Sequence, residues 1–210
     1  MYDYQSLDRH NISRCIEFIA NNFVNDEPTT RHLGIGLDEF MPFSDRVCHH
    51  AMKEDLSVLA LDRVEKKIVG AIVGYDYARS LPAIENLCAK WLPVLELLRE
   101  LDDAIAPRLS EHRVNYLPVM AIAKEHRSNP LFAGLMGHLA EKSLRQGFTQ
   151  LYSQETSEYR FRVSSFPGKV SELGATKYSD FVFRNAHPFA ALAGRCVAIS
   201  TKIEAKGGHS

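Results

Sequence analysis

One stretch constrains the fold of this chain more than any other: residues 116–147, YLPVMAIAKEHRSNPLFAGLMGHLAEKSLRQG. It opens with an apolar run at 116–123, too dense for a strand with one wet face. Such a run suits a strand covered on both sides. A polar turn at 124–129 follows, and then a periodic segment from Pro130. There Leu131, Leu135 and Leu139 share one helical face, with Phe132 and Met136 beside them. Pro130 fits the first helical position, where its missing N–H costs nothing, and Asn129 or Ser128 fits the N-cap. A buried strand, a basic turn and a helix N-terminus in this order make an anion site, because unpaired N–H groups and the helix dipole point into the turn.

At 210 residues the chain fits one domain, expected over 1–205 with a flexible tail at 206–210. A hydrophobic content of 45% with 24% charged residues is that of a soluble globular protein. A formal net charge of −1 gives no electrostatic basis for binding nucleic acid or an anionic membrane. Cys15, Cys48, Cys88 and Cys196 are scattered without a CxxC pair, which suits reduced core thiols. The opening MYDYQSLDRH is polar and acidic, unlike a signal peptide, and no apolar run approaches the ~18 residues of a membrane helix. These features predict a cytoplasmic protein, a monomer or homodimer, with neither nucleic acid nor membrane as partner.

In chain order, an amphipathic helix is expected over 8–22, with Ile12, Cys15, Ile16, Ile19 and Phe23 on one face. Pro28 ends that segment and biases Glu27 toward an extended backbone. A second helix is expected over 38–54, then strands at 57–61 and 67–77 as an antiparallel hairpin. Gly70 and Gly74 in the second strand suggest a bulge or a close approach by backbone or ligand. Residues 83–106 read as helical, split or kinked at Pro93. After the central strand and helix come a strand at 149–154 and an interrupted helix from Glu158 toward Leu173, stopped at Gly174. Two strands, 177–184 and 195–203, close the chain around an apolar loop at 185–194, expected on the acceptor side of a site. This order implies an α/β fold: a mixed, mostly antiparallel central sheet with helices on both faces.

The 127–132 turn resembles the acetyl-CoA pyrophosphate loop of the GNAT acyltransferases, Arg/Gln-x-x-Gly-x-Gly/Ala after a hydrophobic strand. Arg127 holds the first position and Leu131 the aliphatic one, while Pro130 and Phe132 replace the glycines. The segment IEFIANNFVNDEPTTRHLGI at 16–35 is similar to the start of the arylalkylamine N-acetyltransferase branch, where the glutamate of Phe-x-x-x-Glu-Pro is the catalytic base. Val94-Leu95-Glu96-Leu97-Leu98 has a helical counterpart there, and residues 170–175, VSELGA, resemble the family's Glu-Lys-Leu-Gly-Phe helix end. The resemblance implies the GNAT fold and acyl transfer from acetyl-CoA to a small primary amine, with Glu27 as base. It implies cofactor contacts at Met120, Ile122, Ala123, Arg127, Ser128, Asn129, Leu131 and Phe132.

The chemistry is consistent with such a set. An alkylammonium has a pKa near ~10, so a base must take a proton before nitrogen attacks a thioester. A backbone N–H among residues 120–123 would stabilise the charge on the thioester oxygen. For the leaving thiolate, the family's tyrosine position is Val170 here, and Thr156-Ser157-Glu158-Tyr159-Arg160 resembles the branch's Ser-Ser-x-Tyr-Ser segment, making Tyr159 and Ser157 the candidates. Cys48-His49-His50 lacks a partner motif for zinc, so no metal is expected. The acids Glu96, Glu100, Asp102 and Asp103 read as a solvated helix face or as an attractor for a cationic amine. The departures at Pro130 and Phe132 support an alternative: a GNAT-fold ligand-binding or regulatory domain without turnover.

Overall fold

The computed structural model describes residues 1–127, 129–156 and 168–204. The chain runs through β1 (Tyr2–Gln5), α1 (Ile12–Asp26), the short α2 (Pro28–His32), α3 (Leu37–Ala51), β2 (Val58–Asp62) and β3 (Ile68–Asp76). It continues through a 3-10 turn at Ala89–Trp91 into α4 (Leu92–Leu109), then β4 (Val114–Ile122), α5 (Asn129–Arg145), β5 (Gln150–Glu155), β6 (Lys169–Lys177) and β7 (Arg195–Lys202). Among the described residues the strands form one seven-stranded sheet in the order β1-β2-β3-β4-β5-β7-β6. Every pair is antiparallel except β4 with β5.

Apolar periodicity places the helices on the two faces. Ile16 and Ile19 of α1, Phe40 and Val47 of α3, and Leu97 and Leu101 of α4 are buried in one cluster on one face. Leu131, Leu135, Met136 and Leu139 of α5 pack with Val58, Ile72 and Leu117 on the other. Both faces of β4 are thus covered, which is why its sequence is apolar without alternation. Gly70 lies under α5: a Cβ there would come within 2.8 Å of Leu135 Cδ1.

Four expectations are corrected. Helix α1 runs from Ile12 to Asp26 because Asp8 and Asn11 exchange hydrogen bonds in a capping turn ahead of it. Residues 83–88 are not helical: Asn86 takes a positive φ of 60°, and Pro93 opens α4 from its first turn rather than kinking it. The segment after Gly168 is strand, so 170–175 is no helix end and Gly174 sits within β6, where the register slips against β7. β6 has an exposed, mixed pattern typical of a sheet edge, and Ser-Glu-Leu carries no strand signal of its own. Residues 178–184, expected as a strand, form turns instead. Tyr178 and Phe181 are buried there, and Arg184 and Asn185 have positive φ.

Candidate active site

The site begins where the sheet parts. β4 and β5 are paired only at Val114↔Gln150, Asn115↔Leu151 and Tyr116↔Tyr152. Beyond Tyr116, β4 continues against β3 to Ile122, and β5 continues against β7 to Glu155, so a wedge opens between them. Two residues of β4, Leu117 and Pro118, face the single Gly74 of β3, a bulge that bends β4 at the mouth of the wedge. Pro118 is tolerated there because a bulge residue need not donate. Gly74 is required because a Cβ would lie 2.8 Å from the Leu56 carbonyl. Below the mouth, buried Asn115 ties the strands to their surroundings through Leu56 O at 3.2 Å and Ser143 Oγ at 3.0 Å.

The ladder fixes which β4 groups look into the wedge. Ala123 N–H donates to Val69 O at 2.9 Å, so alternation along the β3/β4 pair turns the N–H groups of Met120 and Ile122 the other way. The Ile122 carbonyl points the same way and receives Arg127 Nε at 3.3 Å. Met120 and Ile122, two of the expected cofactor contacts, therefore present backbone donors, whereas Ala123 gives its N–H to β3.

Glu27 stands at the opening. Pro28 disfavours a helical conformation for it, and its φ of −77° and ψ of 126° are extended, as the sequence implied. It becomes the N-cap of α2: its carboxylate accepts from Thr29 N at 3.0 Å, Thr30 N at 2.6 Å and Thr29 Oγ1 at 2.8 Å. Its neighbour Asp26 pairs with Arg127 Nη2 at 2.5 Å across the mouth. The guanidinium expected to meet a pyrophosphate thus spans Ile122 and Asp26. Leu131 and Phe132 are buried in the α5 core, so their side chains are not presented to a ligand. Ser128, Ser157 and Tyr159 lie outside the described residues, as does the Asn129 side chain.

Glu27, Asp26, Tyr116, Met120 and Glu155 line one cavity with an apolar wall of Phe23, Phe43, Trp91, Val94 and Leu98. Phe43 stacks on Trp91 with centroids 4.6 Å apart, and Trp91 Nε1 is anchored on Glu39 O at 3.1 Å. The cavity holds about 130 Å³, near the ~150 Å³ that admits a benzene ring. Gln154 bridges its walls, accepting from Tyr116 OH at 3.1 Å and donating to Leu98 O at 2.7 Å. Three of the four α4 acids are otherwise engaged: Asp102 accepts from Tyr77 OH at 2.9 Å, and Glu96 and Asp103 flank Arg99. The 185–194 loop lies against α2, where His32 Nε2 donates to Pro188 O at 2.8 Å, but does not line the cavity.

Glu155 was not singled out from the sequence. It ends β5 half-buried, accepts from Ser153 Oγ at 2.9 Å, and burial raises its carboxyl to about 7 against the downward pull of that bond. The signal available was a carboxylate in alternation with Leu151 and Ser153 at a strand end. Cys196, on β7, is pushed up to about 12 by burial first and then by the charges of Glu155 and Glu27.

Three solved structures share this architecture across their whole length. The C-terminal condensation domain of Ebony, in complex with beta-alanyl-dopamine, superposes with a TM-score of 0.83 at 16% identity, over 97% of this chain and 99% of that one. The fold is the GNAT fold. Arylalkylamine N-acetyltransferase 2 from Aedes aegypti follows at 0.76 and 16% identity, over 97% of this chain and 99% of its own. The polyamine N-acetyltransferase of Drosophila melanogaster, which forms N-acetylagmatine, gives 0.70 at 16% identity, over 97% of this chain and all of its own. No family model and no curated protein sequence matches the chain. At these identities the likeness establishes the fold. No helix among the described residues is long and apolar enough to cross a membrane.

Proposed function

We propose that the chain is an acyl-CoA-dependent N-acyltransferase, moving an acetyl group from acetyl-CoA to a small primary amine with Glu27 as general base. The observation that carries this reading is the placement of Glu27 on the acceptor side of a wedge into which Met120 and Ile122 turn their N–H groups. An extended, amide-bearing arm of the thioester donor fits between β4 and β5 like an added strand. The acceptor's ring or short chain fits the Phe23, Phe43 and Trp91 wall. The Glu27 carboxylate there favours a cationic amine, and the GNAT-fold neighbours named above include enzymes of arylalkylamines and polyamines.

The steps fall to this chain's own groups. Glu27 takes a proton from the ammonium, directly or through water, so that nitrogen can attack the thioester carbon. The Met120 and Ile122 N–H groups hold the carbonyl oxygen as it gains charge. The first turn of α5 and Arg127 meet the pyrophosphate, with Pro130 withholding one donor; each net hydrogen bond to a charged group is worth roughly 1.5–3 kcal/mol.

The Asp26–Arg127 pair favours a second reading, a ligand-binding or regulatory domain whose cofactor loop is closed. Calorimetry with acetyl-CoA on the wild type and Arg127→Ala, followed by thiol release over arylalkylamines, polyamines and amino acids, separates the two. The enzyme reading expects binding weakened by Arg127→Ala, and turnover of at least one amine. Binding without turnover on any amine supports the regulatory reading. No binding at millimolar acetyl-CoA removes the enzyme reading.

A further inference from the structure

Acyl transfer needs a proton at the departing sulfur as well as a base at nitrogen, and among the described residues the wedge presents few groups able to supply one. Tyr116 lines it, but burial raises its phenol well above the ordinary value and its hydroxyl donates to Gln154. The Cys196 thiol is a weaker acid than the sulfur to be protonated, whose free thiol lies near ~8.5. Lys and Arg side chains form no salt bridge with Glu155 among the described residues.

Glu155 differs in position and environment. Side chains alternate along β5: Leu151 packs with α5, Tyr152 packs in the opposite cluster, and Ser153 bonds Glu155 on the Leu151 side. Glu155 lines the same cavity as Glu27 and ends the strand that forms the wedge's second wall. Among the described residues Ser153 is its one hydrogen-bond donor. Its remaining carboxyl oxygen is uncommitted, and the group opens onto the cavity.

Resting on the acyl-transfer reading above, we propose that Glu155 is a further catalytic residue, the proton donor to the departing thiolate. The C–N bond forms as Glu27 removes the first ammonium proton, which passes to solvent. The C–S bond breaks, its electron pair stays on sulfur, and sulfur takes the Glu155 proton. The second proton, shed by nitrogen as it becomes an amide, returns to the Glu155 carboxylate. The sum is amide, free thiol and one proton released. A carboxyl that burial holds near neutral is protonated often enough to act and acidic enough to give its proton to a thiolate. Cys196 beside it stays a thiol at neutral pH and feels the charges of both Glu155 and Glu27. The other titratable or charged groups lining the same cavity are Glu27, Asp26, Arg127 and Tyr116.

The test uses the whole chain as wild type, Glu155→Gln and Ser153→Ala, with a saturating amine and two donors. One donor is acetyl-CoA; the other is S-(4-nitrophenyl) thioacetate, whose thiolate departs without a proton. Glu155→Gln is expected to lower kcat ~10²–10³-fold with acetyl-CoA and less than about threefold with the activated donor. The wild-type kcat should fall as pH rises past about 7, and this limb should vanish in Glu155→Gln. In Ser153→Ala the limb should move to higher pH, because the lost hydrogen bond was holding the carboxyl down. An undiminished kcat in Glu155→Gln with acetyl-CoA, or equal losses with both donors, overturns the assignment. A pH limb unmoved in both variants does the same. A wild type that releases no thiol with any amine overturns the acyl-transfer reading itself, and this proposal with it.

Discussion

Glu27→Gln probes a side chain with two roles whose sizes can be separated. As the N-cap of α2, the carboxylate accepts three hydrogen bonds, two from backbone N–H groups and one from Thr29 Oγ1. The amide keeps a carbonyl oxygen and loses the charge, so the cap is weakened and not removed. Losing such a cap altogether costs ~0.5–2 kcal/mol, and about 1 kcal/mol is expected here. That corresponds to a drop of ~2–4 °C in Tm for a chain of this length. Against a total stability of ~5–15 kcal/mol the variant remains folded. As a lost general base, by contrast, the change should slow turnover ~10²–10⁴-fold, roughly 3–5 kcal/mol at the transition state. The kinetic loss should shrink at high pH, where an amine with a pKa near ~10 sheds its proton unaided. Thiol release with saturating acetyl-CoA on the best amine of the panel gives the rate, a thermal melt gives the cap, and calorimetry should show unchanged acetyl-CoA affinity. Turnover within about twofold of wild type, beside a lowered Tm, would leave Glu27 a helix cap only and refute the base assignment.

Glu155 also links stability to pH: its carboxyl sits at about 7 in the folded chain against an ordinary 4.5, so its contribution is full below 4.5 and is lost as pH rises through 7. Urea unfolding should show wild type losing on the order of 3 kcal/mol relative to Glu155→Gln across that window, and parallel pH profiles would refute the burial argument. Gly74→Ala should cost ~1–3 kcal/mol in the same assay, since its Cβ would meet the Leu56 carbonyl as well as the buried Asn115 and Leu117 side chains. Phe43→Ala, which removes half of the Phe43–Trp91 stack, should raise KM for arylalkylamines several-fold while leaving acetyl-CoA affinity unchanged; an unaltered KM would place the acceptor elsewhere.

Much of the architecture was legible because it rests on periodicity. The α5 face of Leu131, Leu135 and Leu139, the two-sided burial of β4, and the β2/β3 hairpin all follow from spacing alone. The extended backbone of Glu27 was legible for another local reason, the conformational restriction imposed by Pro28, whereas its proposed role as base came only with the family resemblance. β6 was not, because a largely exposed edge strand has no strict alternation to read. The same limit hid the Asp26–Arg127 pair, whose members are 101 residues apart and meet only when α1 is laid across the mouth of the wedge. Glu155 carries a further lesson: its significance comes from desolvation at a place where two strands diverge, and divergence is a property of the sheet, not of either strand.

That divergence follows from a chain of local causes. Gly74 leaves room for the bulge, the bulge accommodates Pro118, and the bulge reverses which β4 groups face β3. Without the extra residue, Met120 and Ile122 would spend their N–H groups on β3, and Val119 and Ala121 would face the wedge. A deletion at Leu117 or Pro118 should therefore be worse than any single side-chain truncation in the cavity. It shifts the ladder by one residue, exchanging the faces of Val119 to Ile122 and sending the core side chains of β4 to the wrong helix layers. The wedge and its donors are properties of one inserted residue, held by a glycine on the neighbouring strand.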